Sequence, residues 1–158
     1  MNISDQAAAM TDPDSLRFAP LTPDAADGFV RLFGPSGACY GCWCQHFRLR
    51  PKERETLSPD AKRDRMLDRI RRGPLAWRGD VPVGWMQIGP RADVPEWNNP
   101  GRSCSPLPDG PAGDPGVWAI SCFFVASRER GRGLSGRFLE AGIAHARASG
   151  ARMIEASP

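Results

Sequence analysis

The run Arg128-Glu129-Arg130-Gly131-Arg132-Gly133-Leu134-Ser135-Gly136 decides how this chain is read. It stands between an apolar segment, Val117 to Val125, and a segment of helical periodicity, Leu134 to Ser149. The first has the character of a buried strand. The second sets Phe138, Leu139, Gly142, Ile143 and Ala146 on one face and stops at Gly150. Glycines at 131 and 133 let the backbone turn tightly and bring amide N–H groups close to a ligand. The helix that follows aims its N-terminus, with unpaired amides and a partial positive charge, at the same place. With Arg128, Arg130 and Arg132 around the turn, strand, basic glycine turn and helix make a receptor for a pyrophosphate.

Two patterns overlap here. As Gly131-x-Gly133-x-x-Gly136 the run matches the dinucleotide fingerprint, with Glu155 roughly 20 residues on where a ribose-binding acid belongs. In that fold, however, the first glycine follows its strand almost directly, whereas Ala126 to Arg130 intervene here. Such a unit also normally opens its domain. As Arg128-x-x-Gly131-x-Gly133, after Phe123-Phe124-Val125, the run resembles motif A of the GNAT superfamily of N-acetyltransferases. The resemblance covers Val117 to Pro158, with weaker similarity back to Leu16.

The 158 residues, 41% of them hydrophobic, are enough for one domain with a core of useful size. A net charge of +3 suits an anionic cofactor but lacks the concentrated basic face of a nucleic-acid binder. The basic stretch Lys62 to Arg72 carries Asp64 and Asp68 at helical pairing distance from its arginines, a solvated helix face. Five cysteines, an odd number, and no charged-then-apolar leader indicate a reducing, cytoplasmic setting. No apolar run is long enough to span a bilayer. Met1 to Asp14 are small, polar and unpatterned and are expected to be a disordered lead-in to a domain over residues 15–158.

Leu16 to Leu21 reads as a strand, and Thr22-Pro23 as the start of a helix ending at Gly34. Ser58-Pro59 starts a second helix with Met66, Leu67 and Ile70 as its buried stripe and Gly73-Pro74 as its stop. Leu75 to Arg78 and Val83 to Ile88 are expected to be strands joined at Gly79-Asp80. Gly89 to Gly116, crowded with Pro, Gly, Asn and Asp, reads as a long functional loop. Ala151 to Ala156 is a last strand. The mixed order predicts an α/β fold with helices on both faces of the sheet. The resemblance makes that a mixed, mainly antiparallel sheet of the acyl-CoA N-acyltransferase type, ending at its fifth strand.

The resemblance implies acetyl-CoA as co-substrate and a direct attack by a neutral amine on the thioester. Backbone groups of Phe123 and Val125, flanking Phe124, would pair with the pantetheine arm as an added strand. Amides from Arg130 through Gly131, Gly133 and Leu134 to Ser135 would hold the pyrophosphate, with Arg128, Arg130 and Arg132 adding charge. A backbone N–H near Phe123 or Phe124 would stabilise the oxyanion. Asp93, Glu96, Glu155 and His46 are the base candidates, of which Glu96 and Glu155 are preferred. The proton-donating tyrosine the family commonly places beyond this motif has no counterpart, since the sole tyrosine is Tyr40. A small-molecule primary amine is the expected acceptor, between the Gly89 to Gly116 loop and the Cys39 to His46 segment, with a protein amine as the alternative.

Cys39-Tyr40-Gly41-Cys42-Trp43-Cys44-Gln45-His46 invites a zinc reading. Structural zinc usually draws ligand pairs from two separated hairpins, and here all lie in one stretch, with Cys104 distant, so no metal is expected. The thiols and Trp43 read instead as small and large fillers beside the substrate cleft. A similar Gly-Cys-Trp-Cys stretch marks a bacterial subgroup of the same superfamily. The family fold continues past its fifth strand, whereas this sequence ends at Pro158. An exposed last strand would favour a homodimer through that edge. The alternatives are a truncated product or a non-catalytic acyl-CoA-binding module.

Overall fold

The computed structural model describes residues 15–69, 73–99 and 107–156. The chain runs β1 (Leu16–Pro20), α1 (Ala26–Phe33), α2 (Pro51–Thr56), α3 (Pro59–Leu67), β2 (Pro74–Arg78), β3 (Val81–Pro90), β4 (Val117–Val125), α4 (Leu134–Ala148) and β5 (Met153–Ala156). The strands form one sheet in the order β1-β2-β3-β4-β5. Neighbours from β1 to β4 are antiparallel, and β4 pairs with β5 in parallel. A dinucleotide-binding sheet is mostly parallel, so this order overturns that alternative.

Local chemistry accounts for most boundaries. β2 and β3 turn on Gly79-Asp80, with Gly79 at φ 53°, as a tight hairpin requires. Gly34, at φ 64°, ends α1 and donates to Val30 O. Ser58 caps α3 by accepting from Ala61 N–H at 3.1 Å. Thr22 makes no such bond, and Pro23–Ala25 form a 3-10 turn before α1. α2 was not anticipated: it buries no side chain, so no apolar stripe marks it, only Pro51 at its start. On α3 the acid partners go to Arg63, which pairs with Asp60 at 2.9 Å and Asp64 at 3.0 Å. Ile70, Arg71, Arg72, Cys104 and the lead-in Met1 to Asp14 lie outside the described residues.

The sheet is covered on both faces. On one, Leu21, Phe29, Phe33, Trp43, Cys44 and Met66 pack against Leu75 and Trp85. On the other, α4 sets Leu134, Phe138 and Ala146 on Ala76, Met86, Ile88 and Trp118. Burying each large side chain such as Phe29 or Phe138, both fully buried, contributes about 1.5–3 kcal/mol. α4 lies close to β3 because Gly142 has no side chain: a Cβ there would stand 2.5 Å from Met86 Sδ. Within the Gly89 to Gly116 stretch, Arg91–Asp93 and Pro95–Asn98 form 3-10 turns, and residues 100–106 lie outside the described residues.

Candidate active site

β4 is longer than its parallel partner. Pairing with β5 covers Val117 to Ile120, opposite Met153 to Ala156. From Ser121 to Val125 no strand covers the β5-side edge of β4 among the described residues. Backbone groups there can bond an extended ligand as another strand would. The β3 pairing also shifts, with Gln87 opposite Cys122 and Ile88 opposite Ile120, which leaves Ser121 as an extra residue. Trp118 and Ile120 therefore pack toward α4, whereas Cys122 and Phe124 pack toward α1. Phe123 returns to the α4 side, edge-on to Phe138 at 5.1 Å, and keeps 40% of its surface exposed. Between α4 and β5, Ile120, Leu139, Ile143 and Ile154, with Arg147 and Arg152, line a cavity of about 340 Å³.

Past Val125 the chain makes a 3-10 turn at Ser127–Glu129 and enters the glycine turn. Gly131 and Gly133 sit at φ 74° and 72°, and a Cβ at either would meet nothing within 4 Å. Gly133 is the N-cap of α4, with no side-chain cap bond and no acid in the first helical turn. The first amides of α4 are thus presented to an anion. Glu129, inside this basic loop, is buried and accepts from Arg78 Nη2 at 2.8 Å and Nε at 3.2 Å, with Arg132 Nη1 at 3.5 Å. The Arg78 hydrogen bonds hold its carboxyl below the usual value. Arg130 Nε donates to Val125 O at 3.1 Å, so that arginine lies along the open edge of β4. Arg128 is exposed beside them.

A cavity of about 860 Å³ opens between Arg48–Glu53 and Pro95–Asn99. It is reached from the bulge through a buried polar chain. With its amide turned so that Oε1 faces the guanidinium, Gln87 accepts from Arg48 Nε at 3.1 Å, from Nη2 at 3.2 Å, and from Ser121 Oγ at 2.8 Å. Arg48 Nη1 also donates to Asp93 O at 3.3 Å. Glu96, largely buried, lines this cavity and accepts from Asn99 Nδ2 at 3.4 Å. Glu155 is placed differently: its buried carboxylate is ion-paired with the buried Arg91, tying β5 to the 91–93 turn. His46 is exposed, edge-on to Phe47 at 4.8 Å. The Pro95–Asn99 wall belongs to the Gly89 to Gly116 stretch. The opposing wall begins just past His46, and the cysteines line another cavity.

In the cysteine segment Trp43 stacks on Phe33 with centroids 5.4 Å apart and planes at 13°. Cys44 is buried against Cys122, Cys42 is half-buried, and Cys39 and Tyr40 are exposed. Among the described residues no three ligating side chains are placed to hold a metal ion.

Glu129, Arg48, Gln87 and Ser121 were not singled out from sequence. Two carried a usable signal: Glu129 is the one acid among the loop arginines, and Gln87 interrupts the apolar run of β3. Arg48 and Ser121 carried none, since only the bulge brings them together with Gln87.

Solved structures share this fold at low sequence identity. A structure of AAC(6')-Iy in complex with the bisubstrate analogue CoA-S-monomethyl-acetylneamine is 15% identical, with a TM-score of 0.51, covering 91% of this chain and 80% of the other. A GCN5-related N-acetyltransferase from Ralstonia eutropha JMP134 is 16% identical, with a TM-score of 0.51 and coverage of 91% and 84%. An N-acetyltransferase from Staphylococcus aureus Mu50 is 14% identical, with a TM-score of 0.51 and coverage of 90% and 72%. No curated protein matches in sequence. The sequence model of the acetyltransferase (GNAT) family matches residues 41–157, from the cysteine segment through the glycine turn to β5. With the open edge of β4 leading into a basic glycine turn, that match places the chain in the acetyltransferase (GNAT) family.

Proposed function

We propose that this protein transfers an acetyl group from acetyl-CoA to a primary amine of a small molecule. One observation carries the reading: the open edge of β4, Ser121 to Val125, leads through the 3-10 turn at Ser127–Glu129 into a glycine turn at a helix N-terminus without a side-chain cap. Phe123 and Val125 would take the pantetheine arm by backbone pairing, and the amides of Arg130 to Ser135 the pyrophosphate, with Arg128, Arg130 and Arg132 supplying charge. The neutral amine attacks the thioester carbonyl, a backbone N–H near Phe123 or Phe124 stabilises the oxyanion, and the C–S bond then breaks. CoA leaves as a thiolate and takes up a proton. Glu96 is our choice for the base that removes the amine proton, because it is largely buried and lines the cavity between Arg48–Glu53 and Pro95–Asn99. Glu155 has its carboxylate engaged by Arg91 and is the weaker candidate. The bisubstrate analogue in the AAC(6')-Iy complex is in keeping with a small-molecule acceptor. We place the protein in the cytoplasm, and we propose that the outer edge of β5, uncovered among the described residues, pairs with a second copy.

The test measures release of free CoA thiol across a panel of amines and peptides. Turnover with amines is expected, and Glu96→Gln should lower kcat by roughly 10²- to 10⁴-fold while acetyl-CoA binding is kept. Transfer to peptides alone refutes the small-molecule acceptor. Acetyl-CoA binding with no release from any acceptor would identify a non-catalytic acyl-CoA-binding module.

A further inference from the structure

Four thiols run in file from the surface to the cofactor strand. Cys39 is exposed, Cys42 half-buried, Cys44 buried and Cys122 half-buried. Cys44 Sγ lies 2.8 Å from Cys122 Sγ, across 78 residues of sequence. Cys42 N–H donates to Cys39 O at 3.0 Å, and the Cys42 sulfur is within electrostatic range of both Cys39 and Cys122. The backbone is bent to make this meeting. Trp43 and Cys44 hold left-handed φ values of 45° and 57°, which costs about 1–2 kcal/mol for each residue with a Cβ. The Trp43 stack on Phe33 maintains that conformation and turns Cys44 inward. From the other side, the bulge at Ser121 puts Cys122 on the face that meets it. A filling role for the thiols requires neither device.

The outer sulfurs open on a cavity of their own. Cys39 and Cys42 line about 420 Å³ together with His46, Phe47, Arg54 and Lys62, while Glu55 supplies the acid there. Arg54 Nη1 is fixed by a 2.7 Å bond to His46 O. Two accessible thiols beside two cations are fitted to a small anion that reacts at sulfur.

We propose that this cavity receives an anionic disulfide of low molecular weight, and that the oxidation is passed inward to close a Cys44–Cys122 disulfide. Cys39, as thiolate, attacks one sulfur of the disulfide RSSR and releases RS⁻. Cys42 then displaces the second RS⁻, leaving a Cys39–Cys42 disulfide. Cys122 attacks the Cys42 sulfur and frees the Cys39 thiolate, and Cys44 attacks Cys122 and frees the Cys42 thiolate. The net change is RSSR plus two thiols giving two RSH plus the Cys44–Cys122 disulfide: two electrons reach the small disulfide, and the two thiol protons end on RSH. Burial holds the Cys44 thiol well above its usual value, so Cys44 is a poor first nucleophile, and the exposed Cys39 begins the exchange. The closed bond would strap the cysteine segment to β4 beside Ser121 and Phe123, at the edge assigned to acetyl-CoA.

The full chain, reduced and desalted, is incubated with oxidised glutathione, quenched in acid, alkylated and peptide-mapped. The expected product has lost two hydrogens, carries no glutathione, and yields a cross-linked peptide joining Cys44 to Cys122. Closure should slow by roughly tenfold in Cys39→Ser, and by a similar factor when the neutral hydroxyethyl disulfide replaces glutathione. A stable Cys39–Cys42 disulfide, a persistent glutathione adduct, or equal rates with and without Cys39 would each overturn the proposal. So would stoichiometric zinc on the protein purified without chelator, since the thiols would then be ligands. The wild-type map decides the matter even where a cysteine variant fails to fold.

Discussion

Gly133 is where the cofactor assignment can be broken most cleanly. It caps α4 at φ 72°, and a Cβ there would meet nothing within 4 Å, so the cost of a small substitution is conformational rather than steric. The only intrinsic cost of alanine is the left-handed conformation, about 1–2 kcal/mol. A glutamate has that same cost and adds a charge. If the diphosphate lies over the α4 amides, a carboxylate roughly 6 Å from one phosphate charge, at an effective dielectric of about 20, costs some 2.8 kcal/mol, about a hundredfold in affinity. Calorimetric titration with acetyl-CoA should therefore show a modest loss for Gly133→Ala and near-abolition for Gly133→Glu. Raising the salt should narrow the gap between the two variants, because the added term is screened and the backbone strain is not. Equal affinities for wild type and Gly133→Glu would refute the pyrophosphate site. Equal losses for alanine and glutamate would show that the turn matters only as structure.

Glu129→Gln should destabilise the protein by about 2 kcal/mol, since a charged acceptor of Arg78 is lost from a buried position. The folded carboxyl titrates below its ordinary 4.5, so its contribution is complete above that pH and fades as the pH falls through the lower folded value. Denaturant melts of the two proteins should thus differ at neutral pH and converge in acid; a gap that persists unchanged would rule out the ion pair as its source. Light scattering should report a dimer if the β5 edge pairs between copies, and a monodisperse, catalytically active monomer would defeat that proposal.

Elements with an internal signal were legible before the structure. β4 came out over the residues anticipated, Val117–Val125, because an apolar run bounded by proline-glycine and by a charged turn has few other readings. α4 and the hairpin at Gly79-Asp80 were marked by periodicity and by turn chemistry. The polar α2 escaped because a helix that buries nothing has no stripe. The catalytic side was less legible for a different reason. Glu96 and Glu155 are alike in sequence, both acids near apolar residues. Only the tertiary placement of Arg91 against Glu155, and of Glu96 on the cavity wall, tells them apart. Likewise Trp43 and Cys44 are left-handed without being glycines, so nothing in their identity announces that Cys44 turns inward.

The extra residue in β4 means that the strand is out of step with its own sequence. Plain alternation over Val117–Val125 would group Trp118, Ile120, Cys122 and Phe124 on one side. In the folded chain Phe123 has taken the place of its neighbours on the α4 side, and Cys122 and Phe124 have crossed over. Removing Ser121 alone would leave each remaining side chain on the face it now occupies, because Gln87 and Ile88 already face Cys122 and Ile120. The core would notice little. What would vanish is the Ser121 Oγ bond to Gln87, the one link in that polar chain that β4 supplies. A single deletion thus cuts β4 off from Arg48 and the cavity it lines while sparing the core, where most substitutions in the strand would disturb both.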